Sequence, residues 1–324
     1  MGIQAIRVGL VGLDTSHAPT FTKILHDPYH PFHIPGARVV AAYPGGSPDM
    51  EVSISRVEGF TRELSDQYGV RMVDAPEKVA EACDLVFILA TDGRVHPALF
   101  RAVAGRGKPV FVDKPFAVSV ADAKDILSLA ARTATPVFAS SAFRYADGLV
   151  SALNLIRSTG EQVRTCQVRC SLPIQETQGR YFWYGIHGAE MLLACMGCGV
   201  REVRSSGGSD EDRITVWHSD GRESCIVGSR RNGAFQVSLK TDRREVEIDL
   251  SSSMASLSAR LLLAALNVLS AGKFPRLWNA TSAGSVSGCR PASSLDPSAD
   301  ETMEVVRLLE AAQHSYALQQ RVAV

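Results

Sequence analysis

The chain has no surplus of either charge. Its 34 Lys and Arg residues balance 34 Asp and Glu, so no field is strong enough to argue for nucleic acid or an anionic membrane as partner. It also lacks any apolar run near the roughly 20 residues that span a bilayer. Its first residues, MGIQAIRVGLVGL, lack the basic region, long apolar stretch and small-residue cleavage site of a secretory signal. A cytoplasmic protein with a small-molecule ligand is expected. Cysteines are seven and scattered, at Cys83, Cys166, Cys170, Cys195, Cys198, Cys225 and Cys289. An odd, unpatterned set suits reduced thiols, and Cys195-x-x-Cys198 has no second pair at zinc-site spacing. No internal repeat is present.

What is there is enough chain for two domains: 324 residues exceed what one ordinary core absorbs. Over the first 140 or so residues, short β-branched runs alternate with helical stretches, the pattern of a parallel sheet covered by helices. Strands are expected at Ile6 to Val11, Val39 to Tyr43, Arg71 to Val73, Leu85 to Ala90, Val110 to Val112 and Pro136 to Ser140. That is a doubly wound, Rossmann-like α/β domain over residues 1–141. Beyond it the rhythm changes. Strand-like runs at Val163 to Ser171, Ile214 to His218, Glu223 to Ser229, Ala234 to Thr241 and Glu245 to Leu250 follow without helices between most of them, which implies a largely antiparallel open sheet in an α+β domain over 142–324. Helices are expected at Leu149 to Ser158, Tyr184 to Met196, Ser256 to Ala271 and Ala299 to Leu318. Thr281 to Pro297, rich in Ser, Gly and Pro, reads as a surface loop.

In a doubly wound fold the ligand lies beyond the C-terminal ends of the strands, so the first strand-to-helix turn is where phosphate binds. Here that turn is Gly9-Leu-Val-Gly12-Leu-Asp14-Thr15-Ser16-His17. A full dinucleotide fingerprint has glycines at 12, 14 and 17; only Gly12 is present. Asp14 must either turn its carboxylate away from a diphosphate or cap the helix. Thr15 and Ser16 offer donors at a helix N-terminus, enough to hold an anion, or they merely cap. The second strand ends Tyr43-Pro-Gly-Gly-Ser47, without the acid that usually meets an adenine ribose. Ser47, with Arg56 downstream, is suited to a 2′-phosphate, which tilts the cofactor toward NADP over NAD; the alternative is a tight turn.

Three segments resemble the Gfo/Idh/MocA oxidoreductase family. Gly107-Lys-Pro-Val-Phe-Val-Asp113-Lys114-Pro115 is similar to its glycine-lysine-x-valine and E-K-P signature, with Asp for Glu. Leu89-Ala-Thr91-Asp92-Gly-Arg-Val-His96 resembles its T-P-N-x-x-H strand end, and Gly185-Ile-His187-Gly-Ala-Glu190 its G-x-H-x-x-D helix. The resemblance implies a cofactor along Gly12, Asp14, Thr15, Ser16, Tyr43, Ser47, Thr91, Asp92, His96, Asp113 and Lys114. It also implies catalysis by Lys114 and His187, with Arg144, Tyr145, Tyr184 and Glu190 toward the substrate. The acid that the family carries four residues before its histidine is here Trp183, so Tyr184 or Glu190 is expected to orient His187, Glu190 lying one helical turn along. Arg144 and Tyr145 face substrate or form an interdomain salt bridge. His26, His30 and His33 fit no zinc spacing and read as a solvated loop, and no metal site is assigned; whether His17, His96, Asp113 or His187 gather a metal is left open by their separation.

The function these features imply is an NAD(P)-dependent oxidoreductase acting on a sugar, cyclitol or related polyol by hydride transfer, Lys114 and His187 handling the hydroxyl proton. The alternatives are redox-neutral sugar elimination or hydrolysis with a retained cofactor, and a catalytically inactive binding or regulatory protein on the same fold. The resemblance also implies a homodimer or homotetramer through the open sheet.

Overall fold

The computed structural model describes residues 5–231, 233–270 and 295–324. The expected loop from Thr281 to Pro297 falls mostly outside them, as does Cys289. Two compact units are present. Of the described residues, the first comprises 5–117, 121–140 and 258–270, the second 118–120, 141–231, 233–257 and 295–324.

Unit 1 is a six-stranded parallel sheet. In chain order its elements are β1 (Ile6–Val11), α1 (His17–His26), β2 (Ala37–Tyr43), α2 (Glu51–Tyr68), β3 (Arg71–Met72), α3 (Pro76–Ala82), β4 (Leu85–Ile88), α4 (His96–Val103), β5 (Val110–Val112), α5 (Val120–Arg132) and β6 (Val137–Phe138). The strand order is β3-β2-β1-β4-β5-β6, and all five pairings are parallel. Helices cover both faces of such a sheet, so its strands carry no polar face: every residue of β4 and β5 is buried. Phe21 of α1, Phe87 of β4, Phe111 of β5 and Phe138 of β6 form a row of rings with successive centroids 6.3, 5.1 and 6.0 Å apart. Each such ring contributes about 2–3 kcal/mol by burial, and each edge or offset pair about 0.5–1.5 kcal/mol more. The row locks α1 and three strands into one register. Strand order reverses between β1 and β4, and the crevice outside the carboxyl ends at that reversal is where this fold places a ligand. The first turns of α2 carry the polar residues Glu51, Ser53 and Ser55.

Unit 2 opens with a single 3-10 turn, Ala142–Tyr145, then α6 (Asp147–Ser158), β7 (Val163–Ser171), α7 (Gly185–Met196), β8 (Val200–Gly207), β9 (Glu211–His218), β10 (Glu223–Ser229), β11 (Gln236–Thr241) and β12 (Glu245–Asp249). α8 (Leu257–Leu269) belongs, apart from its first residue, to unit 1, and α9 (Ala299–Leu318) and β13 (Val322–Ala323) complete unit 2. The sheet order is β12-β11-β7-β10-β9-β8-β13. It is antiparallel except between β7 and β10, which run parallel, so the sheet is mixed. The strands alternate buried and accessible residues along β7, β9 and β11, the signature of one covered face. α7 lies against that face. Eleven of its residues are buried, and a Cβ on Gly188 would come within 2.8 Å of the Ile226 side chain, so the absence of one lets helix and sheet approach closely. Among the described residues no helix is long and apolar enough to cross a membrane.

Candidate active site

The first turn of unit 1 is built on Gly12. It sits at φ +89°, and its amide donates to the Tyr43 carbonyl at 2.9 Å. A left-handed φ is what glycine supplies without strain, and a Cβ here would lie 2.4 Å from the Ala90 nitrogen. Asp14 turns inward. Fully buried, it accepts the Thr91 amide at Oδ1 (2.9 Å) and the Ser53 hydroxyl at Oδ2 (2.6 Å). The carboxylate therefore ties the β1 and β4 turns to the first turn of α2; it neither caps α1 nor faces outward. Ser16, at the N-cap, makes no side-chain cap and is exposed. Thr15 Oγ1 accepts the His17 amide at 3.4 Å.

Asp92 is also buried and grips Arg94 through Nε and Nη2, while Arg94 reaches on to Asp49 at 2.8 Å. His96 has no exposed surface, and its Nε2 and Nδ1 lie 2.8 and 3.3 Å from the carbonyls of Ala90 and Phe116. It thus joins the strand-end loops to each other. The Ser47 hydroxyl is buried with no hydrogen-bond partner among the described residues.

At the end of β5, Asp113 and Lys114 meet the start of α1. Asp113 is 1% exposed; its Oδ1 accepts the Lys114 amide at 2.9 Å and its Oδ2 lies 2.7 Å from His17 Nδ1. Burial pushes the Asp113 carboxyl up, but His17, Lys114 and the amide together outweigh it and hold it below the usual carboxylate range. Lys114 is partly accessible, and burial, with Arg56 adding to it, lowers its pKa against the opposing pull of Asp113. The Lys114–Pro115 peptide is cis.

In unit 2, His187 stands on α7 with its Nδ1 2.7 Å from the Ser141 hydroxyl. Its ring is surrounded by Phe143, Tyr184 and Phe235 at centroid distances of 5.0, 5.3 and 6.2 Å. Of the two expected orienting partners, Tyr184 packs its ring edge-on to His187, while the hydrogen bond at Nδ1 is to Ser141 and Glu190 is engaged elsewhere. It accepts Arg144 Nε at 2.6 Å, both side chains nearly fully buried. Arg144 gives Nη1 to the Leu295 carbonyl at 3.0 Å and Nη2 to Glu301. The expected substrate-facing pair is thus held inside unit 2: all three guanidinium nitrogens of Arg144 are engaged, and Tyr145 donates its hydroxyl to Asp296 at 2.9 Å. Burial pulls Arg144 down, yet two carboxylates beside it keep it firmly charged; Glu190, sharing that cation with Glu301, is pushed up by burial.

Asp296 gives a pH test of this network. Burial, opposed by Tyr145 and Arg144, raises its carboxyl to about 6. A carboxyl raised on folding contributes stability that is complete below its unfolded value and lost as pH rises through the folded one. Asp296→Asn is therefore expected to be more stable than the wild type by about 1–3 kcal/mol at pH 8, the gap closing below about pH 4; thermal melts across that range check it, and a gap independent of pH would refute it.

The expected solvated histidine loop is more ordered than its composition suggests. His26 Nε2 accepts the Val39 amide at 2.9 Å, and His33 Nδ1 lies 2.9 Å from the Ile24 carbonyl, so both pin the turn between α1 and β2. No group of three or more His, Cys, Asp or Glu among the described residues is placed to hold a metal ion. A feature that sequence spacing did not signal is buried Asp212 of β9, held between Arg180 at 2.7 Å and Arg230 at 2.6 Å, with Arg180 3.5 Å above the Tyr316 ring.

Six parallel strands in this order with a glycine-dependent first turn define a fold of the Rossmann type. Residues 6–140 match the model of the GFO_IDH_MocA family, described as an oxidoreductase family with an NAD-binding Rossmann fold. That match covers the first unit, under half of the chain. Inositol 2-dehydrogenase 4 of Saccharopolyspora erythraea is 34% identical over 116 residues, 36% of this chain and 30% of that protein, so the match spans under a third of the relative. The structure of scyllo-inositol dehydrogenase from Lactobacillus casei with NAD(H) and scyllo-inositol superposes with a TM-score of 0.74 at 13% identity, over 99% of each chain. GenD2 from gentamicin A biosynthesis, in complex with NAD, gives 0.74 at 16% identity over 100% of this chain and 98% of that one. At such identities the likeness is one of fold.

Proposed function

We propose that the chain is an NAD(P)-dependent oxidoreductase acting on a hydroxyl of a cyclitol, sugar or related polyol. The observation that carries this reading is Lys114: a partly accessible lysine at the mouth of a Rossmann sheet, its amine made easier to deprotonate by burial and backed by an ionised aspartate. Such a lysine can polarise the reacting oxygen or take its proton.

The residues present suit a dinucleotide. Gly12 keeps side-chain atoms out of the turn, and Asp14 points its charge inward; the His17 and Ala18 amides are taken by Thr15 and Pro19 has none, so the exposed, uncapping Ser16 hydroxyl would be the donor to an anion. Gly12, Thr15 and Ser16 would hold the diphosphate, with Asp14, Asp92 and His96 fixing the loops around it; Tyr43 and Ser47 would meet the adenosine ribose, and Thr91, Asp113 and Lys114 the nicotinamide end. When bound, the nicotinamide supplies hydride chemistry. The absence of an acid at the end of β2 and the unpartnered Ser47 hydroxyl favour NADP(H), while the fold relatives cited above hold NAD(H) or NAD. Unit 2 would carry the polyol, with His187 and Tyr184 presented to it, and the contacts between subunits.

Calorimetry of the purified chain with NAD+ and NADP+ tests the reading, followed by turnover of myo-inositol, scyllo-inositol and a hexose panel. Micromolar binding of one cofactor is expected, with Lys114→Ala losing turnover by about 10²–10⁴-fold. Failure of both cofactors to bind at millimolar concentration would sink it.

A further inference from the structure

Each unit holds one candidate histidine, and the two are held differently. His187 of unit 2 faces a hydroxyl, Ser141, through Nδ1. His17 of unit 1 faces a carboxylate, Asp113, at 2.7 Å. A base steered by a third group, most effectively a buried acid, is the arrangement that makes a histidine a proton acceptor of fixed direction. The acid-held histidine is thus found at the start of α1, at the position where the fingerprint would have its last glycine.

The roles of the two ring nitrogens of His17 follow from its partner. Asp113 is ionised, so its oxygens only accept; Oδ1 already takes the Lys114 amide, and Oδ2 must take a proton from Nδ1. That fixes the neutral tautomer with its lone pair on Nε2. No other residue uses Nε2 among those described, and the side chain keeps 15% of its surface accessible. The ring cannot swing freely, because it stacks on Phe21 with centroids 4.7 Å apart and planes 12° from parallel, and Phe21 is the first ring of the aromatic row through the sheet. Asp113, in turn, is fixed by the backbone of the very lysine that the reaction uses.

We propose that His17 is a catalytic residue of this site, the group that takes the hydroxyl proton of the substrate at Nε2 while Lys114 polarises the oxygen. This rests on the oxidoreductase reading above. In the oxidative direction the O–H bond breaks and its proton forms the Nε2–H bond. The oxygen's electron pair closes the C=O bond as the carbinol hydrogen leaves with its own pair to the nicotinamide. The imidazolium so formed keeps its Nδ1–H on Asp113, whose charge stabilises it, and the proton passes to solvent between turnovers. Reduction runs the same path backward.

The test uses the full chain labelled with 15N-histidine, with His17→Gln assigning the signals, studied with and without saturating NAD+ or NADP+, whichever binds. In its neutral form, His17 is expected to show a protonated Nδ1 and an unprotonated Nε2, to shift when the cofactor binds, and to lose this tautomer preference in Asp113→Asn. A proton resting on Nε2, or ring signals indifferent to a cofactor that demonstrably binds, would overturn the proposal. With any polyol of the panel that is oxidised, His17→Gln is expected to lower kcat by about 10²–10⁴-fold with the cofactor Kd within about threefold. Loss of cofactor affinity alone, or kcat within threefold of wild type, would assign His17 a packing role. Absence of cofactor binding by the wild type would instead be a failure of the oxidoreductase reading, and the two results are told apart by calorimetry on the unmutated chain.

Discussion

Arg144→Ala is expected to lower the unfolding free energy of unit 2 by about 3–5 kcal/mol, the range found when one partner of a buried ion pair is removed. Arg144 is 2% exposed and lies between Glu190, 3% exposed, and Glu301. Truncation leaves Glu190 buried with no cation and with a second carboxylate nearby. It also strands the Leu295 carbonyl that anchored the chain just before α9. The loss is due to the uncompensated charge more than to the contact itself, so the double variant Arg144→Met/Glu190→Gln should recover a large part of it. Urea unfolding followed by circular dichroism measures both. A cost under about 1 kcal/mol for Arg144→Ala, or a double variant no better than the single one, would show that the network holds little of unit 2 together.

The same residue shows where reading a sequence stops. Arg144 follows β6 at the place where a substrate-facing arginine is expected, and its position was legible. Its partners were not, since Glu301 lies 157 residues away and Glu190 46, and no spacing rule connects them. His17 and Asp113, 96 apart, and Asp14 and Ser53, 39 apart, are hidden for the same reason. Local chemistry is what the sequence displays. β5 and Lys114 were readable because an apolar strand runs into a proline, and α9, Ala299–Leu318, because its apolar residues repeat at helical spacing. β8 escaped notice because Val200 and Val203 are its two apolar residues, among Arg201, Glu202 and Arg204, and a buried serine, Ser205, fills the next inward position. The parallel pairing of β7 with β10 left no mark on either strand, because a strand buried on one face alternates alike whichever way its neighbour runs.

Gly12→Ala is expected to destabilise unit 1 by about 2–5 kcal/mol, from two separable sources. One is the backbone: at φ +89° a residue with a Cβ costs about 1–2 kcal/mol. The other is a collision, since the new methyl would lie 2.4 Å from Ala90 N and 2.6 Å from its Cα, and overpacking costs about 1–3 kcal/mol. The β4 end cannot easily retreat. The next amide, Thr91, is held by Asp14 at 2.9 Å, and the Ala90 carbonyl lies 2.8 Å from His96 Nε2. On the other side, the Gly12 amide is fixed to Tyr43. Gly69 provides the control, because it also has a positive φ, +64°, but nothing within 4 Å of its missing Cβ. Gly69→Ala should therefore show the backbone cost alone, and the difference between the two variants in urea unfolding isolates the collision. Equal costs would mean that the β1 and β4 turns are not locked together by close approach, and the first turn would then tolerate the side chain that a cofactor-binding turn has to exclude.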